Sequence, residues 1–184
     1  DKILSKIFLR KDALTFHLDG DFLYLGSFAG IETYKMNGNQ LQFINLFPLT
    51  AGVSKILKFN NQIIFTTYGG GFFVKNGNSV TKYQNKPFNN IENLFKIKQG
   101  YVMVSYESGL SILDEKLNFI SHINKKNGLH SNFVTTVFAD TDTVYIGARK
   151  GIAQWYNNKI IKTFKAEEGF SGNLTRLIFR NAKK

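Results

Sequence analysis

Three imidazoles, His17, His122 and His130, are the groups best suited to carry a proton near neutral pH or to ligate a metal, yet none stands at a ligand spacing such as His-x-x-x-His. Serine and aspartate are present, but no Gly-x-Ser-x-Gly elbow occurs, and no pair of carboxylates recurs in a setting that suggests a general acid beside a base. Gly69-Gly70-Gly71 lacks the Lys-Ser/Thr and the helix that let a glycine run hold phosphate. Asp140-Thr141-Asp142 lacks the glycine and distal Glu of a calcium loop, and reads as a turn in which Asp and Thr bond nearby backbone. The expectation is a protein that is not an enzyme and holds no metal or cofactor.

Binding chemistry is better represented. Tyr68 and Tyr106 offer flat faces that stack on sugar rings, and Arg149 and Lys150 offer charge that pairs with sulfate or carboxylate. Glu107 and His130 complete the candidate ligand-binding set. The formal charge of +11, from 24 Lys+Arg against 13 Asp+Glu, favours an acidic partner. Much of the excess is lysine spread singly (Lys35, Lys55, Lys75, Lys96, Lys159), whereas a nucleic-acid groove clusters its cations. The expected partner is therefore an acidic oligosaccharide or another protein, not nucleic acid.

These residues are held in place by a repeat. Leu25-Gly26-Ser27-Phe28-Ala29-Gly30-Ile31, Thr66-Thr67-Tyr68-Gly69-Gly70-Gly71-Phe72, Val104-Ser105-Tyr106-Glu107-Ser108-Gly109-Leu110 and Ile146-Gly147-Ala148-Arg149-Lys150-Gly151-Ile152 share a plan that ends in glycine and an apolar residue. The glycines stand 41 (30 to 71), 38 (71 to 109) and 42 (109 to 151) residues apart. That is the length of a propeller blade, on the order of 40–50 residues. Phe16, Leu57, Phe95 and Phe138 precede them by 14, 14, 14 and 13 residues. Asn37-Gly38-Asn39, Asn76-Gly77-Asn78, Asp114-Glu115-Lys116 and Asn157-Asn158 follow as hairpin signals.

Each repeat thus predicts a four-stranded antiparallel meander: first strands at 14–18, 54–59, 92–97 and 134–139, and second strands at 22–26, 62–67, 101–105 and 143–147. Third strands fall at 31–35, 72–75, 110–113 and 152–156, and fourth strands at 40–46, 79–84, 117–123 and 159–164. Second strands such as Phe22-Leu23-Tyr24-Leu25 are apolar at consecutive positions, so both their faces need cover, which blades stacked around an axis provide. The fold class expected is all-β, a β-propeller fragment of about four blades forming one region over residues 1–184. Its repeats lie at about 12–46, 53–84, 91–123 and 133–164, with partial blades at 1–10 and 173–180.

From Asn127-Gly128-Leu129-His130-Ser131-Asn132-Phe133-Val134 through Asp140, and on through Val144-Tyr145-Ile146-Gly147 to Gly151-Ile152, the chain resembles the two-component regulator propeller repeat. Glu168-Gly169-Phe170-Ser171-Gly172-Asn173-Leu174 looks like the start of another copy. In the other repeats Thr67 and Ser105 replace the first glycine, and the Gly-Leu-x-Ser-Asn lead-in is missing before residues 54 and 92. The resemblance implies a periplasmic or cell-surface sensor region of a hybrid histidine kinase that responds to glycans. Related propellers in surface and secretion proteins leave a structural or docking role as the alternative.

No run of 18 apolar residues exists to span a membrane, and the absence of cysteine is compatible with cytoplasm or periplasm. Residues 2–8 resemble a fourth strand and Leu174 to Phe179 a first strand, so the ring is not expected to close within these residues. Further blades, or a second chain, are the expected cover for the apolar faces at both ends.

Overall fold

Glycine and Asn-Gly turns every few residues break the chain into strands too short to fold except as hairpins, and a computed structural model shows sixteen strands among its described residues. It describes residues 12–69, 71–77, 79–83, 91–105, 108–169 and 174–180. The expected partial blade at 1–10, and the site candidates Tyr106 and Glu107, lie outside the described residues.

Blade 1 is β1 (Thr15–Asp19), β2 (Phe22–Ser27), β3 (Gly30–Asn37) and β4 (Gln40–Pro48). Blade 2 is β5 (Val53–Phe59), β6 (Gln62–Thr67), β7 (Gly71–Asn76) and β8 (Ser79–Lys82). Blade 3 is β9 (Ile91–Ile97), β10 (Gly100–Ser105), β11 (Gly109–Leu113) and β12 (Phe119–Ile123). Blade 4 is β13 (Val134–Asp140), β14 (Thr143–Ala148), β15 (Gly151–Tyr156) and β16 (Lys159–Lys165). Each is a separate four-stranded sheet in sequence order, and the strands whose register is resolved pair antiparallel with their chain neighbours. Two short 3-10 turns, Lys125–Asn127 and Ala166–Glu168, are the helical elements among the described residues, and no helix there is long and apolar enough to cross a membrane.

Two differences from the sequence reading have local causes. The fourth strand of blade 3 begins at Phe119, not at 117, because the Asp114 carboxylate accepts from the Lys116 and Asn118 amides (2.8 and 2.7 Å) and Leu117 turns left-handed, φ 67°. Strand pairing also moves two landmarks by one residue: Phe16, Ile56 and Val137 are equivalent, opposite Leu25, Phe65 and Ile146, so Leu57 and Phe138 point to the other face. In blade 2 the cause is a turn one residue longer, Thr67 pairing with Gly71 where Ser27 pairs with Gly30.

The described chain forms two units, Asp1–Glu92 and Asn93–Lys184. In the first, Ile31 from blade 1 and Val53, Ile56, Ile63 and Phe65 from blade 2 bury one face of each sheet against the other. Gly26 makes this approach possible, since a Cβ there would stand 2.7 Å from Val53 Cγ1. The opposite face of blade 1 is open: Phe16 is 65% and Leu18 52% exposed. In the second unit, Val102, Val104, Leu110 and Ile112 of blade 3 join Val134, Val137, Ile146 and Ala148 of blade 4.

Residues 174–180 repeat this geometry on blade 4. Thr175 lies against Gly147 as Val53 lies against Gly26, and Arg180 reaches Asp140 (3.0 Å) as Lys58 reaches Asp19 (2.5 Å). The segment therefore occupies the seat of a following blade's first strand. It makes only the single bridge Arg149 to Leu174 and forms no strand, because no second strand lies beside it among the described residues.

Candidate functional site

In an up-and-down meander the turn from second to third strand and the connection to the next blade leave the sheet at one end, while the other hairpins leave at the opposite end. Backbone hydrogen bonds tie this turn to an adjoining connection in every blade, the outgoing one in blades 1 and 3 and the incoming one in blades 2 and 4. Ala29 O accepts from Leu49 N (3.1 Å), and Gly52 O accepts from Tyr68 N (2.9 Å). Asn132 O accepts from Gly109 N (2.9 Å), and Phe133 O accepts from Arg149 N (2.9 Å). Side chains on these turns are thus carried by a rigid frame.

In the first unit Phe28 and Tyr68 flank Gly52 and are 68% and 49% exposed. The Phe28 ring lies where a Cβ on residue 52 would be, 2.7 Å from Phe28 Cδ1. Tyr68 is thus placed as a stacking face, with Phe28 as a second aromatic that the sequence reading located in the turn but gave no role.

The second unit carries the charge. The connection 124–133 folds around its polar residues: Asn124 Oδ1 accepts from Lys126 N (2.8 Å), Asn127 Oδ1 from Asn124 N (3.1 Å), and Asn132 Oδ1 from Lys125 N (2.7 Å). Gly128 closes the 3-10 turn at φ 96°, Leu129 anchors in the core, and Ser131 Oγ accepts from Phe133 N (3.1 Å). This gives the Gly-Leu-x-Ser-Asn lead-in a physical meaning, residue by residue.

Above that connection the exposed Arg149 guanidinium lies 4.5 Å from the Phe133 ring centroid. Such stacking is worth about 0.5–1 kcal/mol at an exposed site and leaves the N–H fork free to meet an anion. Beside it, exposed Lys150 holds φ 67°, a conformation that favours glycine. His130 is half-buried, its Nε2 facing Gly151, and neither ring nitrogen makes a well-formed hydrogen bond. Burial holds its pKa below the ordinary imidazole value, the Lys165 charge adds to this, and the Arg149 backbone partly offsets it. Of the candidates, Arg149, Lys150 and His130 therefore lie together at the turn end of blade 4, His130 on the connection that enters it, while Tyr68 belongs to the first unit. Phe133, which positions Arg149, was missed because an aromatic at the start of a strand reads as core.

One further pair was not legible. The Ser111 hydroxyl donates to His122 Nδ1 (2.9 Å) when His122 Nε2–H donates to Ser108 O (2.8 Å), across neighbouring strands. Ser111 is buried, and its proton is committed to this cross-strand bond.

No protein-family model matches the chain, and no curated sequence does either. Solved structures do. The extracellular domain of a putative hybrid two-component system from B. thetaiotaomicron is 21% identical, with TM-score 0.74, over 90% of this chain and 24% of that one. The WD40 domain of Neurospora crassa Pan2 is 12% identical, with TM-score 0.60, over 84% of this chain and 50% of that one. PorZ, a surface component of the type-IX secretion system of Porphyromonas gingivalis, is 10% identical, with TM-score 0.55, over 83% of this chain and 21% of that one. The chain thus spans between a fifth and a half of the length of these three structures. With four four-stranded antiparallel sheets, its fold is that of β-propeller blades.

Proposed function

We propose that the chain is part of a non-catalytic ligand-sensing propeller, in the extracytoplasmic sensor region of a hybrid two-component regulator, and that it binds an acidic glycan at the turn end of blade 4. The observation that carries this reading is the stacked Arg149 beside Lys150, two exposed cations on hydrogen-bonded turns. A guanidinium already oriented by Phe133 loses less freedom on meeting a carboxylate or sulfate than a free side chain would. The likeness to an extracellular two-component domain supports the cellular setting.

Calorimetry with a sulfated or uronate oligosaccharide tests it. Arg149→Ala with Lys150→Gly is expected to weaken binding about 10–100-fold, from the roughly 1.5–3 kcal/mol typical of hydrogen bonds to charged groups. Glycine suits the backbone of residue 150, so the loss would not reflect unfolding. A neutral oligosaccharide of equal length should not bind, and unchanged affinity of the double variant would remove the assignment.

The second reading, a docking propeller of a surface or secretion assembly, is favoured by the open face of blade 1, where Phe16 and Leu18 are exposed. Further blades, from the same chain or another, are the cover it suits, and the likeness to PorZ supports this setting.

A further inference from the structure

Strand length differs sharply at the perimeter of the first unit: β4 has nine residues and β8 only four. The short outer strand leaves the inter-blade core open from the side. A groove of about 550 Å³ runs between Phe47, Pro48, Leu49 and Thr50 at the end of β4 and Phe73, Val80 and Lys82 of blade 2. Its volume lies within the range of about 300–1,000 Å³ common to small-molecule sites. Leu49, Phe73 and Val80 are half-buried and belong to the margin of the core, so the floor is apolar. Phe73 stacks on Phe65 at 5.0 Å with an interplanar angle of 6°, which fixes the ring.

Among the described residues, Lys82 is the cation at the rim. Lys82 Nζ lies 5.9 Å from the Phe73 centroid, and no carboxylate among the described residues pairs with it. Its stem runs over Gly71, where a Cβ would approach Lys82 Cε to 3.1 Å, so the missing side chain lets the ammonium sit above the groove. An apolar floor closed at one end by an ammonium matches a compact molecule with an aromatic or branched aliphatic body and one carboxylate.

We propose that this groove is a binding site for small amphiphilic carboxylates, separate from the cations of blade 4. The probe is 4-phenylbutyrate, with 4-phenylbutanol as its uncharged counterpart, followed by ligand-observed NMR titration of the whole chain. Saturable binding of the acid is expected, about fivefold tighter than the alcohol, the upper end for a solvent-exposed ion pair. Lys82→Met, at an exposed position, should bring the acid down to the alcohol and leave the alcohol unchanged. Val80→Gln, with its fold checked by circular dichroism, should weaken both. Absence of saturable binding, equal affinity for acid and alcohol, or an acid affinity indifferent to Lys82→Met would each overturn the proposal.

Discussion

Burial of the His130 imidazole links a single residue to the pH response of the molecule. Its pKa in the folded chain lies below the ordinary 6.5, with burial the main cause. As pH falls below that value the unfolded chain takes up a proton first, so the contribution to stability present above about pH 6.5 is lost on acidification until the native imidazole titrates. His17 is lowered in the same direction, again chiefly by burial, so the two act together. The urea midpoint of the wild type should therefore fall between pH 7.5 and pH 5, and His130→Phe should fall less. An equal fall in both would show that residue 130 titrates as if exposed. At this scale the sequence was informative about chemistry but not about orientation: Arg149 and Lys150 were legible as turn cations, whereas the Phe133 ring that steadies Arg149 became visible only when the connection had folded.

Among the elements, the meander was legible almost strand for strand, because glycine and asparagine must occupy the left-handed turns and those turns fix the hairpins. What the spacing concealed was register. One extra residue between Thr67 and Gly71 shifts the count back from the glycine by one, so Ile56, not Leu57, holds the core position of β5. The Asp114 cap likewise shortened β12 in a way that apolar patterning cannot report. Blade stacking depends on small residues as much as on large ones. Gly26→Ala should cost about 1–3 kcal/mol in urea unfolding, since its Cβ would press on Val53 Cγ1 and Thr15 Cγ2 at 2.7 and 2.8 Å. Val53→Ala should relieve part of this, making the double variant more stable than the sum of the single losses. Strict additivity would mean that the two blades do not meet at Gly26.

For the whole molecule, the packed core and the candidate binding side chains lie in different places. Inter-blade packing is mostly aliphatic, whereas the ion pairs Lys58–Asp19, Lys98–Asp142 and Arg180–Asp140 lie at the surface, each with an exposed cation, and contribute little to stability. These pairs mark where one element meets the next. The turn end, by contrast, varies from blade to blade on a constant hydrogen-bonded frame, with Phe28 and Tyr68 in one unit and Arg149 and Lys150 in the other. This is why the sequence disclosed a scaffold and a set of candidate side chains but no ligand. Hydrogen exchange with and without a sulfated or uronate oligosaccharide tests the central claim most directly. Slowed exchange confined to residues 124–133 and 148–151 is the predicted result. Protection at the opposite hairpins, around Asp19–Phe22 and Asp140–Thr143, or no protection at saturating ligand, would contradict it.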